Sequence, residues 1–146
     1  MLRQLLITCL LTLVGTLAWA EQKVDFSGHE LHYIILNTTE LPPKIAARYQ
    51  IVRSGKRAFI NLSILEKSAD GFGIPVSAQI KARQRTLIGQ IADIELQEIR
   101  EGDSIYYIGS FEILNRDNLW FDIDLTVTDG PDFEFSFPQQ VWQEAK

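Results

Sequence analysis

The chain is poor in the residues that most site chemistry uses. Its 146 residues include one cysteine (Cys9), one methionine (Met1) and two histidines. Beyond residue 20 there is no cysteine, which excludes a thiol nucleophile, thiolate metal ligands and disulfides from the body of the protein. With no methionine there either, thioether copper sites are excluded. No long basic stripe is present, which argues against nucleic acid as a partner. There is no G-x-S-x-G elbow, and the acids around Gly130 miss the spacing of a calcium loop. A Ser-His-Asp triad stays open, because only a fold can bring its members together. No internal repeat or low-complexity linker divides the chain.

What is present begins with an address. In MLRQLLITCLLTLVGTLAWA, Arg3 supplies a positive start, Leu5 to Leu17 is apolar, and Ala18-Trp19-Ala20 has the small-x-small form of a cleavage site. The run is shorter than the about 20 apolar residues a spanning helix needs. Residues 1–20 are therefore expected to be a cleaved export signal, leaving residues 21–146 as a single periplasmic domain with no stable membrane insertion. A chain of this size buries about two-thirds of its unfolded surface, enough for one core. Its charge is lopsided. Residues 21–85 carry ten basic and six acidic side chains, and residues 86–146 carry three and thirteen. That asymmetry predicts a dipolar surface.

Alternation at period two dominates the rest. Leu119, Phe121, Ile123, Leu125 and Val127 alternate with Trp120, Asp122, Asp124 and Thr126; Phe133, Phe135 and Phe137 repeat the pattern. Ala58, Ile60, Leu62 and Ile64 do the same, as do Ala92, Ile94 and Leu96. The run 104–114 is apolar on both faces, as in a central strand covered on two sides. Turn residues separate these runs at Gly71–Pro75, 101–103, 115–118 and 129–132. The spacing predicts about seven strands, at 24–36, 57–67, 75–83, 87–99, 104–114, 119–128 and 132–138. The fold class is then an all-β, immunoglobulin-like antiparallel β-sandwich. One short helix is expected after Asn37, capped by Thr38 or Thr39, with Pro42 and Pro43 in its first turn. It would plug an open end of the sandwich.

Candidate contact residues fall in three places. Arg53, Lys56 and Arg57 flank a glycine turn that superficially resembles a phosphate cradle. A P-loop also needs an upstream glycine and a hydroxyl after the lysine, and it feeds a helix; here Arg57 replaces the hydroxyl and a strand follows. An anion held at the surface remains open, beside a solvated turn with ion pairs to the acidic half. Trp120 and Asp122, with Asp124, share one strand face as a sugar-gripping platform would, and two acids on one face also raise glycosidase chemistry. Tyr106 and Tyr107 put one ring on each face of a central strand, one in the core and one in a groove or under a loop. His29 and His32, three apart on a strand, point to opposite sides, which disfavours a shared metal and suggests surface or edge positions.

The stretch Tyr49, Ile51-Val52-Arg53-Ser54, Arg57-Ala58 and Ile60-Asn61-Leu62-Ser63-Ile64-Leu65 resembles the signature of DUF4426, a family of exported gammaproteobacterial proteins of unknown function. The similarity continues through Leu41-Pro42, Leu87-Ile88-Gly89-Gln90, Glu98 to Gly102, Ile105-Tyr106-Tyr107 and Leu119 to Ile123. Thr86 departs from the asparagine expected there. The resemblance implies a periplasmic β-rich domain and brings no activity or catalytic residues. No cofactor or metal site is predicted. The expected function is a non-catalytic envelope module that contacts another envelope protein through an exposed sheet edge such as 133–137. The alternative is a small-ligand or carbohydrate-binding domain.

Overall fold

The computed structural model describes residues 22–113 and 117–144; the expected leader, residues 1–20, and residues 115 and 116 of the turn expected at 115–118 lie outside these. Ten strands follow in chain order: β1 (Gln22–Phe26), β2 (His29–Asn37), β3 (Arg57–Glu66), β4 (Ile74–Pro75), β5 (Ala78–Thr86), β6 (Ile91–Ile94), β7 (Gln97–Glu101), β8 (Ser104–Glu112), β9 (Asp117–Val127) and β10 (Asp132–Val141). They form two antiparallel sheets. One has the order β1-β2-β3-β8-β7, with β4 also on β3; the other has the order β10-β9-β5-β6. The molecule is an all-β, immunoglobulin-like β-sandwich, with ten strands where seven were expected.

Each extra strand is one predicted run cut in two. The run 24–36 is a hairpin: Phe26 pairs with His29, and Ser27 and Gly28 both take positive φ, 39° and 76°. Two such residues in a two-residue loop match the right-handed twist of the flanking strands. The run 75–83 is split at residues 76 and 77, between β4 and β5. The run 87–99 has its break at Glu95-Leu96, where the chain leaves the second sheet for the first. Ile94 is buried in the main core, while Ile99 is buried on the far side of the first sheet.

The alternating runs bury the faces their pattern selects. Leu119, Phe121, Ile123, Leu125 and Val127 all point into the space between the sheets, against Leu31, Ile60, Leu62 and Ile64. Each fully buried Leu, Ile or Phe contributes about 1.5–3 kcal/mol. At the β1/β2–β10 side the core becomes aromatic. Phe26 stacks on Phe133 with centroids 4.2 Å apart, and Tyr33 meets Phe137 at 4.4 Å.

A second, smaller cluster lies on the outer face of the first sheet. Phe59, Ile99 and Ile108 are covered there by Ala46 and Ile51, with Tyr49 and Tyr106 alongside. The cover is the short helix α1 (Pro43–Arg48), so the helix roofs a sheet and does not plug the end of the sandwich. Its N-cap is Pro42, with no side-chain cap bond. Thr38 is buried in a 3₁₀ turn (Thr38–Glu40), and its hydroxyl donates to the Ser54 carbonyl at 3.0 Å. Threonine is thus committed to the loop opposite, and Pro42-Pro43 start the helix through their preset φ. Among the described residues no helix is long and apolar enough to cross a membrane.

Candidate functional site

The register collects several of the sequence-predicted residues at one end of the sandwich. Asn37 pairs with Ala58, Arg57 with Glu112, Thr86 with Leu119, and Val141 with Asp117, so the ends of β2, β5 and β10 and the starts of β3 and β9 meet there. The 53–57 turn sits at this end and is held from several sides. Arg53 donates to the Thr39 carbonyl at 2.8 Å. Arg57 donates to Ser110 at 3.0 Å and pairs with Glu112 at 3.6 Å. The backbone of Glu144 donates to the Gly55 carbonyl at 2.9 Å. A Cβ on Gly55 would lie 2.8 Å from the Glu144 carbonyl oxygen, which is why glycine stands at that position. Two of the three basic side chains are therefore spent on structure. Lys56 is exposed, with no bond from its ammonium group among the described residues.

Trp120, Asp122 and Asp124 do share an outer strand face, but β5 has already engaged them. Arg85 lies over the Trp120 ring at 5.5 Å and binds both carboxylate oxygens of Asp122 at 3.2 Å. Ser136 donates to Asp122 at 2.6 Å, and Arg83 pairs with Asp124 at 2.6 Å. The Arg85 guanidinium holds the Asp122 carboxyl below its usual range, against the opposing effect of burial. A carboxylate kept ionised in this way is a poor general acid. The same pairs cross-link the basic first half of the chain to the acidic second half, so the fold interleaves charges that the sequence segregates.

The two tyrosines split as expected. Tyr107 is in the main core and Tyr106 packs beneath α1. The Tyr107 hydroxyl accepts from the Ala78 N–H at 2.8 Å and donates to Glu98 at 3.0 Å, tying the two sheets together. Burial pushes this phenol above its ordinary value. His29 is buried, against the expectation of a surface position: it stacks on Phe26 at 5.4 Å, and its Nδ1 lies 2.9 Å from the Ser27 carbonyl. His32 faces Glu30 at 3.0 Å. Among the described residues no three His, Cys, Asp or Glu side chains gather to hold a metal ion.

The structure extends one sequence reading and adds one residue to the candidates. The first is the edge expected at 133–137, which is β10, ten residues long and, among the described residues, paired only to β9. Its Phe133, Phe135 and Phe137 turn inward, leaving Glu134, Ser136 and Gln140 outside. The second is Trp142, 58% exposed, which walls a cleft of about 260 Å³ between the ends of β2 and β10. The signal available was an indole set among amides and acids in QQVWQE; nothing local reveals that Asn37 lies opposite.

Three comparisons place the chain. The family model described as Domain of unknown function (DUF4426) matches residues 23–144. The crystal structure of a DUF4426 family protein from Pseudomonas aeruginosa superposes with a TM-score of 0.75 at 28% identity, over 86% of this chain and 97% of that one. FetP of uropathogenic Escherichia coli, expressed in the periplasm, superposes at 0.58 with 13% identity, over 86% and 95%. A copper-bound FetP variant does so at 0.58 with 14% identity, over 87% and 93%. At that identity FetP shares the fold alone. No curated protein matches the chain.

Proposed function

The chain belongs to the DUF4426 family, and from that footing we propose that it is a non-catalytic, periplasmic module that binds an extended segment of another envelope protein along β10. The carrying observation is the length of that free edge. The run before Pro138 gives six residues at about 3.3 Å each, about 20 Å of backbone, whereas β1 and β7 have five residues and β6 four. The β7 edge is also guarded by α1: Gln97 donates to the Tyr49 carbonyl at 2.9 Å, and Arg48 and Tyr49 both reach Glu101. Pro138 has no N–H to offer, so the usable run is 132–137. An added strand would gain backbone hydrogen bonds from the edge and selectivity from side chains opposite its outward residues. Glu134 is exposed and makes no bond among the described residues, so a basic residue in the partner suits it.

The copper of FetP is not carried over. His29 and His32 face opposite sides of β2, no cluster of donors gathers among the described residues, and Cys9 and Met1 precede the domain. A photo-crosslinking residue at Ser136 in intact cells should give a discrete adduct that the same probe at Asp93, on the β6 edge, does not. Equal labelling at both edges, or none at Ser136, removes the proposal.

A further inference from the structure

Independently of the strand edge, we propose that the cleft beside Trp142 binds one neutral sugar residue. Hydrogen bonds tie the cleft to both sheets. Asn37 donates to the Gly55 and Trp142 carbonyls at 3.5 and 3.4 Å, which holds the indole-bearing backbone. Gln139 donates to the Ile35 carbonyl at 3.3 Å and fixes the floor between the sheets. Glu144 accepts from the Thr39 hydroxyl. Glu40 and Gln140 are exposed and make no hydrogen bond among the described residues, so their polar groups are available to a ligand.

Three properties select the class of ligand. An exposed indole offers a flat apolar face, and a sugar ring presents just such a face of C–H groups, with its hydroxyls at the rim. The polar lining consists of amides and carboxylates, which can donate to and accept from adjacent hydroxyls. It holds two carboxylates and no basic side chain, which excludes an anionic or phosphorylated ligand. A cation would meet the same two carboxylates and indole face, which is why the titration below carries a cationic comparison. Size sets the limit. A volume of about 260 Å³ falls just below the roughly 300 Å³ at which ordinary ligand pockets begin, so the cleft takes one ring and leaves the rest of any longer glycan in solvent.

The test is calorimetric titration of the full chain, expressed with its own leader, with glucose, galactose and N-acetylglucosamine, and with spermidine as the cationic comparison. At least one sugar should saturate below about 10 mM. Trp142→Ala should weaken it about tenfold or more, as truncation of a central tryptophan does, and Gln140→Ala should weaken it less. Trp120→Phe should leave it unchanged. Trp142→Phe retains an aromatic face and most of the packing, and should bind between the two extremes. Saturation by spermidine alone, no saturation by any of the three sugars, or sugar binding that survives Trp142→Ala overturns the assignment. A discrete Ser136 adduct in cells alongside a failed titration would discard the cleft and keep the strand edge.

Discussion

Replacing Tyr107 by phenylalanine removes one oxygen from the join between the two sheets, and the geometry sets the cost. The ring is 5% exposed and keeps its packing. The Ala78 N–H, whose bond to the hydroxyl is buried at 2.8 Å, loses its acceptor and cannot turn to water. A buried donor left unsatisfied costs about 1–3 kcal/mol. Glu98 loses a 3.0 Å bond but keeps Arg100 at 2.6 Å, and its side chain is 38% exposed, so water replaces the phenol at little cost. The total is about 2 kcal/mol, or a fall in Tm of roughly 6–12 °C for a domain of this size. Urea denaturation followed by tryptophan fluorescence measures it, with an unchanged slope. Tyr106→Phe is the control. No bond to its hydroxyl is found among the described residues, so its change should stay within about 0.5 kcal/mol. If Tyr107→Phe also stays within that bound, the hydroxyl is not a tie between sheets.

Acid stability should depend on Asp122. Arg85 depresses its folded pKa below the unfolded value of about 3.9, so its contribution is present above about pH 4 and is lost as pH falls through the folded value. Asp122→Asn should therefore be less stable at pH 7 and show a flatter loss below pH 4; parallel curves down to pH 2 would contradict the linkage. Gly109→Ala should cost about 1–3 kcal/mol or more, because its Cβ would press on the Glu95 carbonyl and come within 2.7 Å of Ile94, where β6 crosses to β7; near-wild-type urea midpoints would show that the crossover yields. Gly55→Ala should release the segment 142–144, seen as faster amide exchange at Glu144 while the core amides stay protected.

Architecture was legible wherever one face of a strand is wet. LWFDIDLTV could be read directly, because alternation records which side each residue faces and the core side was then obeyed without exception. The same logic located β3 and the inward phenylalanines of β10, while β8 was legible as an apolar run bounded by turn residues. It missed the breaks within 24–36, 75–83 and 87–99, although two of them leave a mark. The core-facing positions shift from even (Val24, Phe26) to odd (Leu31, Ile35) across Ser27-Gly28, and from Ile94 and Leu96 to Ile99 across the crossover. Apolar content alone does not reveal such a change of parity. The helix was located but misplaced on the body, since its apolar residues specify a partner surface without saying which one.

The site residues divide on the same line. That Tyr107 would be inside and Asp122 outside follows from strand parity, a property each residue carries in its neighbours. That Arg85 takes both Trp120 and Asp122, that Glu144 returns to cap Gly55, and that Asn37 comes to face Trp142 depends on partners up to 105 residues away. Local pattern, set by the two-residue repeat of an extended backbone, determined which side chains are buried and hence the two-layer form. Pairing between distant strands, set by how ten strands share one core, decided which polar groups are spent on each other and which remain free to meet a ligand.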